Sequence, residues 1–202
     1  MQFEPISKML VSIALFSTIA ASCSHDKNID NNIAAQNIEQ SEKLTLPASI
    51  ELPANPPNGN QRVFTFFAVG VQKYKAQEIA GSNPIAYQWV FVAPAADLFD
   101  ASNKKVGTHS AGPTWQLSAT DSVFGQPFTP ARVAASPDAS GIDWLLLMPK
   151  AGKAPTGAFA QVSYIQRIAT NGGKAPAVLP VNPDQTVEVP YTAVYRFTRK
   201  NE

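Results

Sequence analysis

Beyond Arg62 the chain alternates apolar and polar residues with a period of two, the period of an extended strand whose side chains point to opposite faces. Residues 63–74 (VFTFFAVGVQKY) are dense in β-branched and aromatic side chains and apolar on both faces at their start, which predicts a strand covered on both sides. Ile85, Tyr87, Trp89, Phe91 and Ala93 alternate with Ala86, Gln88, Val90 and Val92, a second strand with one aromatic face. Residues 142–148 (IDWLLLM) make an apolar run of strand length between Gly141 and Pro149. Ala160, Val162, Tyr164, Gln166 and Ile168 share one face of residues 159–170, which Asn171-Gly172-Gly173 closes with a turn. Val187, Val189, Tyr191, Ala193, Tyr195 and Phe197 form the apolar face of a last strand, in which Pro190 calls for an edge position or a bulge. Weaker strands fall around residues 106–117 and 123–133, and no stretch after Lys43 keeps apolar residues at helical spacing for three turns. The pattern predicts an all-β domain with little helix, an antiparallel β-sandwich or barrel.

The region before these strands reads differently. Residues 9–21 (MLVSIALFSTIAA) are apolar, too short to span a bilayer, preceded by Lys8 and closed by Ala20-Ala21-Ser22-Cys23. That layout predicts a signal helix ending at residue 22 and lipidation of Cys23, with ordinary cleavage near Ala21 as the rival. Residues 24–43 are rich in Asn, Asp and Gln, and a chain so poor in apolar side chains cannot offset its ordering entropy. The expected organisation is therefore a lipoprotein signal over residues 1–22, a flexible polar tether over 23–43 and a single β-rich domain over 44–202. Pro47, Pro53, Pro56 and Pro57 forbid helix interior at the start of that domain.

Composition narrows the partners. Cys23 is the only cysteine, so the domain rests on packing rather than an internal disulfide. Net charge is +1 and no run of Lys or Arg exceeds two residues, which leaves no electrostatic footprint for nucleic acid. Charged residues are 15% of the chain against about 25% in average proteins. The expected location is the cell envelope, tethered to a membrane through lipid, and the outer membrane if the cell is Gram-negative, since Ser24 rather than Asp follows Cys23.

Candidate chemistry centres on His109, the only histidine after the tether, in the stretch Gly107 to Trp115. Gly112-Pro113 enforces a tight reversal that brings His109 and Trp115 together at one loop. An imidazole beside an indole suits a polar ligand or a general base, and equally suits a core histidine bonded to turn carbonyls. Catalysis would need an acid such as Asp121 or Asp143, but no G-x-S-x-G elbow accompanies Ser110 or Ser122. A zinc site would have to recruit two of Asp97, Asp100, Asp121 and Asp143 to one histidine, so no metal is expected. Arg167 lies opposite Tyr164 on its strand and leads into the glycine turn, where a guanidinium can receive a carboxylate or phosphate or pair with a neighbouring acid. No G-x-G-x-x-G or Walker loop occurs, and no cofactor is expected.

The spaced residues Gly70-Val71-Gln72-Lys73-Tyr74, Trp89, Ala93-Pro94 with Leu98, Gly107 to Trp115, Trp144-Leu145-Leu146, Ile165-Gln166-Arg167 with Thr170 and Gly172-Gly173, and Tyr191-Thr192-Ala193 with Tyr195 and Phe197 resemble an uncharacterised exported bacterial and fungal family, domain of unknown function 3455. The resemblance runs from about Leu46 to Thr198 and implies export and a shared domain, without an activity. Many members of that family carry a cysteine after the Tyr74-like position and another after the Gly-Gly-x-Ala-Pro segment. Ala76 and the stretch Ala177 to Leu179 supply neither here, so the resemblance implies no redox role. The malate dehydrogenase label attached to some fungal relatives finds no support in a proline-rich all-β pattern.

Taken together, the expected function is a lipid-anchored envelope domain binding a small or polymeric ligand, such as a polysaccharide, through His109, Trp115 and Arg167. The alternatives are a hydrolase or isomerase with His109 as base oriented by Asp121 or Asp143, and a purely structural envelope protein. Mass spectrometry of the amino terminus in the native host is expected to find acylated Cys23; an intact, unmodified Met1 would contradict the export reading.

Overall fold

The computed structural model describes residues 32–202; the hydrophobic run, Cys23 and His25 lie outside the described residues. Eight strands follow one another: β1 (Asn60–Glu78), β2 (Tyr87–Phe99), β3 (Lys105–Ser110), β4 (Thr114–Gln116), β5 (Ser122–Ala134), β6 (Trp144–Pro149), β7 (Tyr164–Gly172) and β8 (Thr186–Lys200). Each pairs antiparallel with the next, and β8 returns to β1 over a register running from Asn60↔Lys200 to Lys75↔Thr186. Of the two expected all-β architectures, the chain adopts the up-and-down barrel. Pro190 lies in this closing strand opposite Val71, while the last register partner on β7 is Gly172 against Tyr191. The proline thus stands one row past the end of β7, where a barrel offers the equivalent of an edge.

Alternation along β1 and β8 sends Phe64, Phe66, Ala68, Tyr195 and Phe197 inward. At the end where β1 begins and β8 finishes, these rings meet Phe159, carried by a single 3-10 turn (Gly157–Phe159) between β6 and β7. Phe159 packs 5.0 Å from Phe197 and 5.6 Å from Phe64 between ring centroids, and Phe66 lies 5.7 Å from Phe197. Offset and edge-on aromatic packing of this kind adds to area burial, so this end of the barrel is closed. The other end, bearing the β1–β2, β3–β4, β5–β6 and β7–β8 connections, is built differently.

A second apolar layer covers the outside of the barrel. Phe67, Trp144, Ile168 and Val194 point outward and are buried by Ala34, Ile38, Leu46 and Ile50. Ala34 and Ile38 belong to α1 (Ile33–Glu42), which Asn32 caps by accepting the Ala35 amide at 2.8 Å. This helix corrects the reading of residues 24–43 as flexible throughout: Ile33–Glu42 is ordered against the barrel, ahead of the expected domain start at Leu44. Its stability comes from the barrel and not from its own sequence. Buried Arg196 donates to the Ser41 carbonyl at 2.7 Å, and Glu42 pairs with Arg62 at 2.8 Å and with Arg196 at 3.1 Å.

Candidate functional site

The β3–β4 hairpin is short, and its neighbours are long. β3 and β4 contribute six and three residues, whereas β2 and β5 each have thirteen. Pairing of β2 with β3 starts only at Ala96, and pairing of β4 with β5 stops at Phe124. Above the hairpin turn the barrel wall is therefore missing, and a window opens between the upper halves of β2 and β5.

At the base of this window His109 and Trp115 are register partners across the hairpin, as the Gly112-Pro113 reversal requires; Gly112 takes φ +123°, a region closed to most side chains. Their rings stack with centroids 4.5 Å apart and planes at 11°, and Tyr195 closes on the imidazole from another side at 4.9 Å. Gly125 makes room for the indole: a Cβ there would stand 2.9 Å from Trp115 Cζ3. His109 and Trp115 are only 3% and 1% exposed. His109 Nδ1 lies 2.9 Å from the Thr114 carbonyl, which can only accept, so Nδ1 carries the proton and Nε2 presents a lone pair. Burial pulls the His109 pKa down to about 3, the Thr114 bond opposing and the Arg167 charge assisting. The ring is neutral at physiological pH.

Behind the window lies a chamber of about 370 Å³. Its walls are mainly apolar, from Phe91, Val92, Pro94, Pro127, Leu145 and Leu147, with Gln72, His109, Arg167 and Tyr195 as the polar groups facing inward. Arg132 also borders it, but its guanidinium is held by the carbonyls of Ala48, Ser49 and Glu51. No carboxylate lines the chamber. An outer vestibule of about 450 Å³ shares Gln72, Phe91 and Arg167 with it and adds Tyr74, Asp143 and Lys174.

Gln72, Tyr191, Tyr195 and Arg167 stand next to one another in a chain of polar side chains, yet Gln72 Nε2, Tyr191 Oη and Tyr195 Oη, like Trp115 Nε1, are buried with no partner in full hydrogen-bond geometry. Trp144 Nε1, Arg196 Nε, Thr198 Oγ1 and Asn60 Oδ1 are also unpartnered, but they belong to the outer layer and the strand ends. Burial pushes the Tyr191 and Tyr195 phenols up, the neighbouring Tyr195 hydroxyl adds to the rise at Tyr191, and the Arg167 charge opposes it at both.

The structure brings His109, Trp115 and Arg167 to one chamber. Arg167 donates through Nε and Nη2 to the Asp143 carbonyl at 3.0 and 2.8 Å, pairing with backbone and not with an acid. Asp121 is remote: its carboxylate accepts the Ala158 amide at 2.7 Å and the Ser118 hydroxyl, tying the β4–β5 turn to the 3-10 turn at the closed end. Among the described residues no hydrogen bond or ion pair joins His109 to a carboxylate. Asp97 pairs with Lys105 at 2.8 Å, Asp100 caps the β2–β3 turn, and no group of three potential metal ligands occurs among the described residues. Tyr195, Tyr191 and Gln72 escaped the sequence reading. Gln72 carried a signal: it continues the inward row Phe64, Phe66, Ala68, Gly70, where an apolar residue is the rule.

Residues 57–199 match the model of a family described as Protein of unknown function (DUF3455). No curated protein and no solved structure matches the chain.

Neutral His109 has a signed consequence for stability. Its folded pKa lies below the unfolded 6.5, so the unfolded state takes up the extra proton and stability falls as pH drops from 6.5 toward about 3. Carboxylates such as Glu39 and Asp138 are held low, so their contribution is lost only below the unfolded 4.5 and 3.8. Urea midpoints between pH 6.5 and 4.5 should thus decline for the wild type and be flatter for His109→Asn, whose amide can still reach the Thr114 carbonyl; equal slopes would contradict the buried neutral ring.

Proposed function

We propose that this chain, which belongs to the DUF3455 family, is a binding protein whose barrel takes up a small, largely apolar molecule through the window between β2 and β5. One observation carries this: a largely apolar chamber on which a few polar side chains, Gln72, His109, Arg167 and Tyr195, converge. A buried unsatisfied group costs about 1–3 kcal/mol, and an apolar side chain in its place would avoid it. Polar side chains kept at the wall of an apolar cavity are what a ligand needs for orientation. The volume sits at the low end of the about 300–1,000 Å³ usual for small-molecule sites, and an eight-stranded barrel is just wide enough to hold one small ligand.

Binding accounts for His109 better than acid–base catalysis does. A pKa of about 3 makes a weak base, and Asp121 stands at the closed end, so His109 serves as a neutral acceptor through Nε2. The small chamber favours a compact ligand over a polymer. The apolar run at residues 9–21 and Cys23 support placing the barrel in the cell envelope on a lipid tether.

The test uses N-phenyl-1-naphthylamine, a neutral probe that fluoresces in apolar surroundings. The full chain should bind it saturably at one site, and Ala131→Trp, which narrows the exposed rim of the window, should weaken binding about tenfold or more. A linear, unsaturable rise, or equal binding by both proteins, would reject the chamber as a ligand site.

A further inference from the structure

Resting on that reading of the chamber, we infer that its ligand carries a single carboxylate, set against Arg167 and met by Tyr195 and Gln72, with its apolar body lying toward the window. The balance of donors and acceptors points this way. Gln72 Nε2 and Trp115 Nε1 can only donate and the Tyr195 hydroxyl can donate, while Tyr191 stands behind them, outside the chamber lining. Against them the chamber offers the neutral acceptors His109 Nε2 and Gln72 Oε1, and no acid. A site so rich in donors is complementary to an acceptor-rich group.

Charge selects the anion. Arg132 and Arg167 both border the chamber, but Arg132 is turned to the carbonyls of Ala48, Ser49 and Glu51 outside the barrel, whereas Arg167 stands beside the Tyr195 hydroxyl and is the guanidinium set among the inner polar groups. Its Nε and Nη2 hold the Asp143 carbonyl, an anchor that fixes the plane of the guanidinium and leaves Nη1 unengaged. A guanidinium fixed by its own backbone loses little freedom on binding, the preorganisation that a head group rewards. Lys174 stands in the outer vestibule, bonded to the Ala139 carbonyl, and does not line the chamber. A carboxylate needs only the one guanidinium beside Tyr195, which favours it over a phosphate monoester, whose nearly two charges call for more cations at that spot. The apolar walls of Phe91, Val92, Leu145 and Leu147 then receive a chain or ring.

Isothermal titration of the full chain with sodium octanoate and with octan-1-ol at pH 7.5 isolates the head group, because the two share their apolar body. Octanoate should bind about tenfold or more tightly than the alcohol, the gain expected of a charge-assisted hydrogen bond. Arg167→Gln should bring that ratio close to one, and Arg167→Lys should restore part of it, with N-phenyl-1-naphthylamine uptake reporting that each variant keeps its chamber. Equal affinities in the wild type, a ratio unchanged in Arg167→Gln, or failure of both compounds where the neutral probe still binds would each overturn the carboxylate assignment and leave the binding chamber standing. Failure of the neutral probe as well would overturn both.

Discussion

A closed barrel of eight strands encloses a volume fixed by strand number and tilt, and every inward side chain must share it. Here that volume is divided. At one end Phe64, Phe66, Phe159 and Phe197 fill it with rings, and Trp115 continues the stack because Gly125 yields the space its indole occupies. At the other end the inward row turns to Gln72, Arg167, Tyr191 and Tyr195, and packing gives way to a chamber. The shortness of β3 and β4 decides where that chamber meets solvent, since a wall that stops at the Gly112-Pro113 turn leaves β2 and β5 apart. Fold and site are thus two consequences of how one interior is filled.

The aromatic end and the outer layer make the open end affordable in free energy. Large aromatics buried in a core each stabilise by several kcal/mol relative to truncation, and the outer cluster of Phe67, Trp144, Ile168 and Val194 under α1 adds a second core. With no internal disulfide, this packing on both faces of the sheet is the main support of the barrel. His109 belongs to both halves: its ring stacks into the aromatic core while Nε2 stays available to the chamber.

Much of the sheet was legible in the sequence. The inward row of β8 is spelled out by Tyr191, Ala193, Tyr195 and Phe197, and the apolar character of both faces of β1 matches its place between the barrel core and the layer under α1. Ring closure was not legible, because pairing of residues near 60 with those near 200 is a long-range choice that periodicity does not encode. The helix α1 was missed for a related reason: its composition is that of a spacer, and the contacts that hold it, through Ala34, Ser41 and Glu42, lie on distant strands. At the site, the meeting of His109 with Trp115 followed from a local turn. The part played by Tyr195 did not, because a tyrosine on an apolar face reads as core until its hydroxyl is found without a partner.

The central claim is that the chamber keeps polar groups at the expense of the empty protein's stability. Urea unfolding of Tyr195→Phe in the absence of ligand tests this most directly, since the substitution removes one buried hydroxyl and leaves the ring in place. The account predicts an unfolding free energy equal to the wild type's or higher by up to about 1 kcal/mol. A loss of about 1 kcal/mol or more would contradict it, for the hydroxyl would then be part of the barrel's own scaffold.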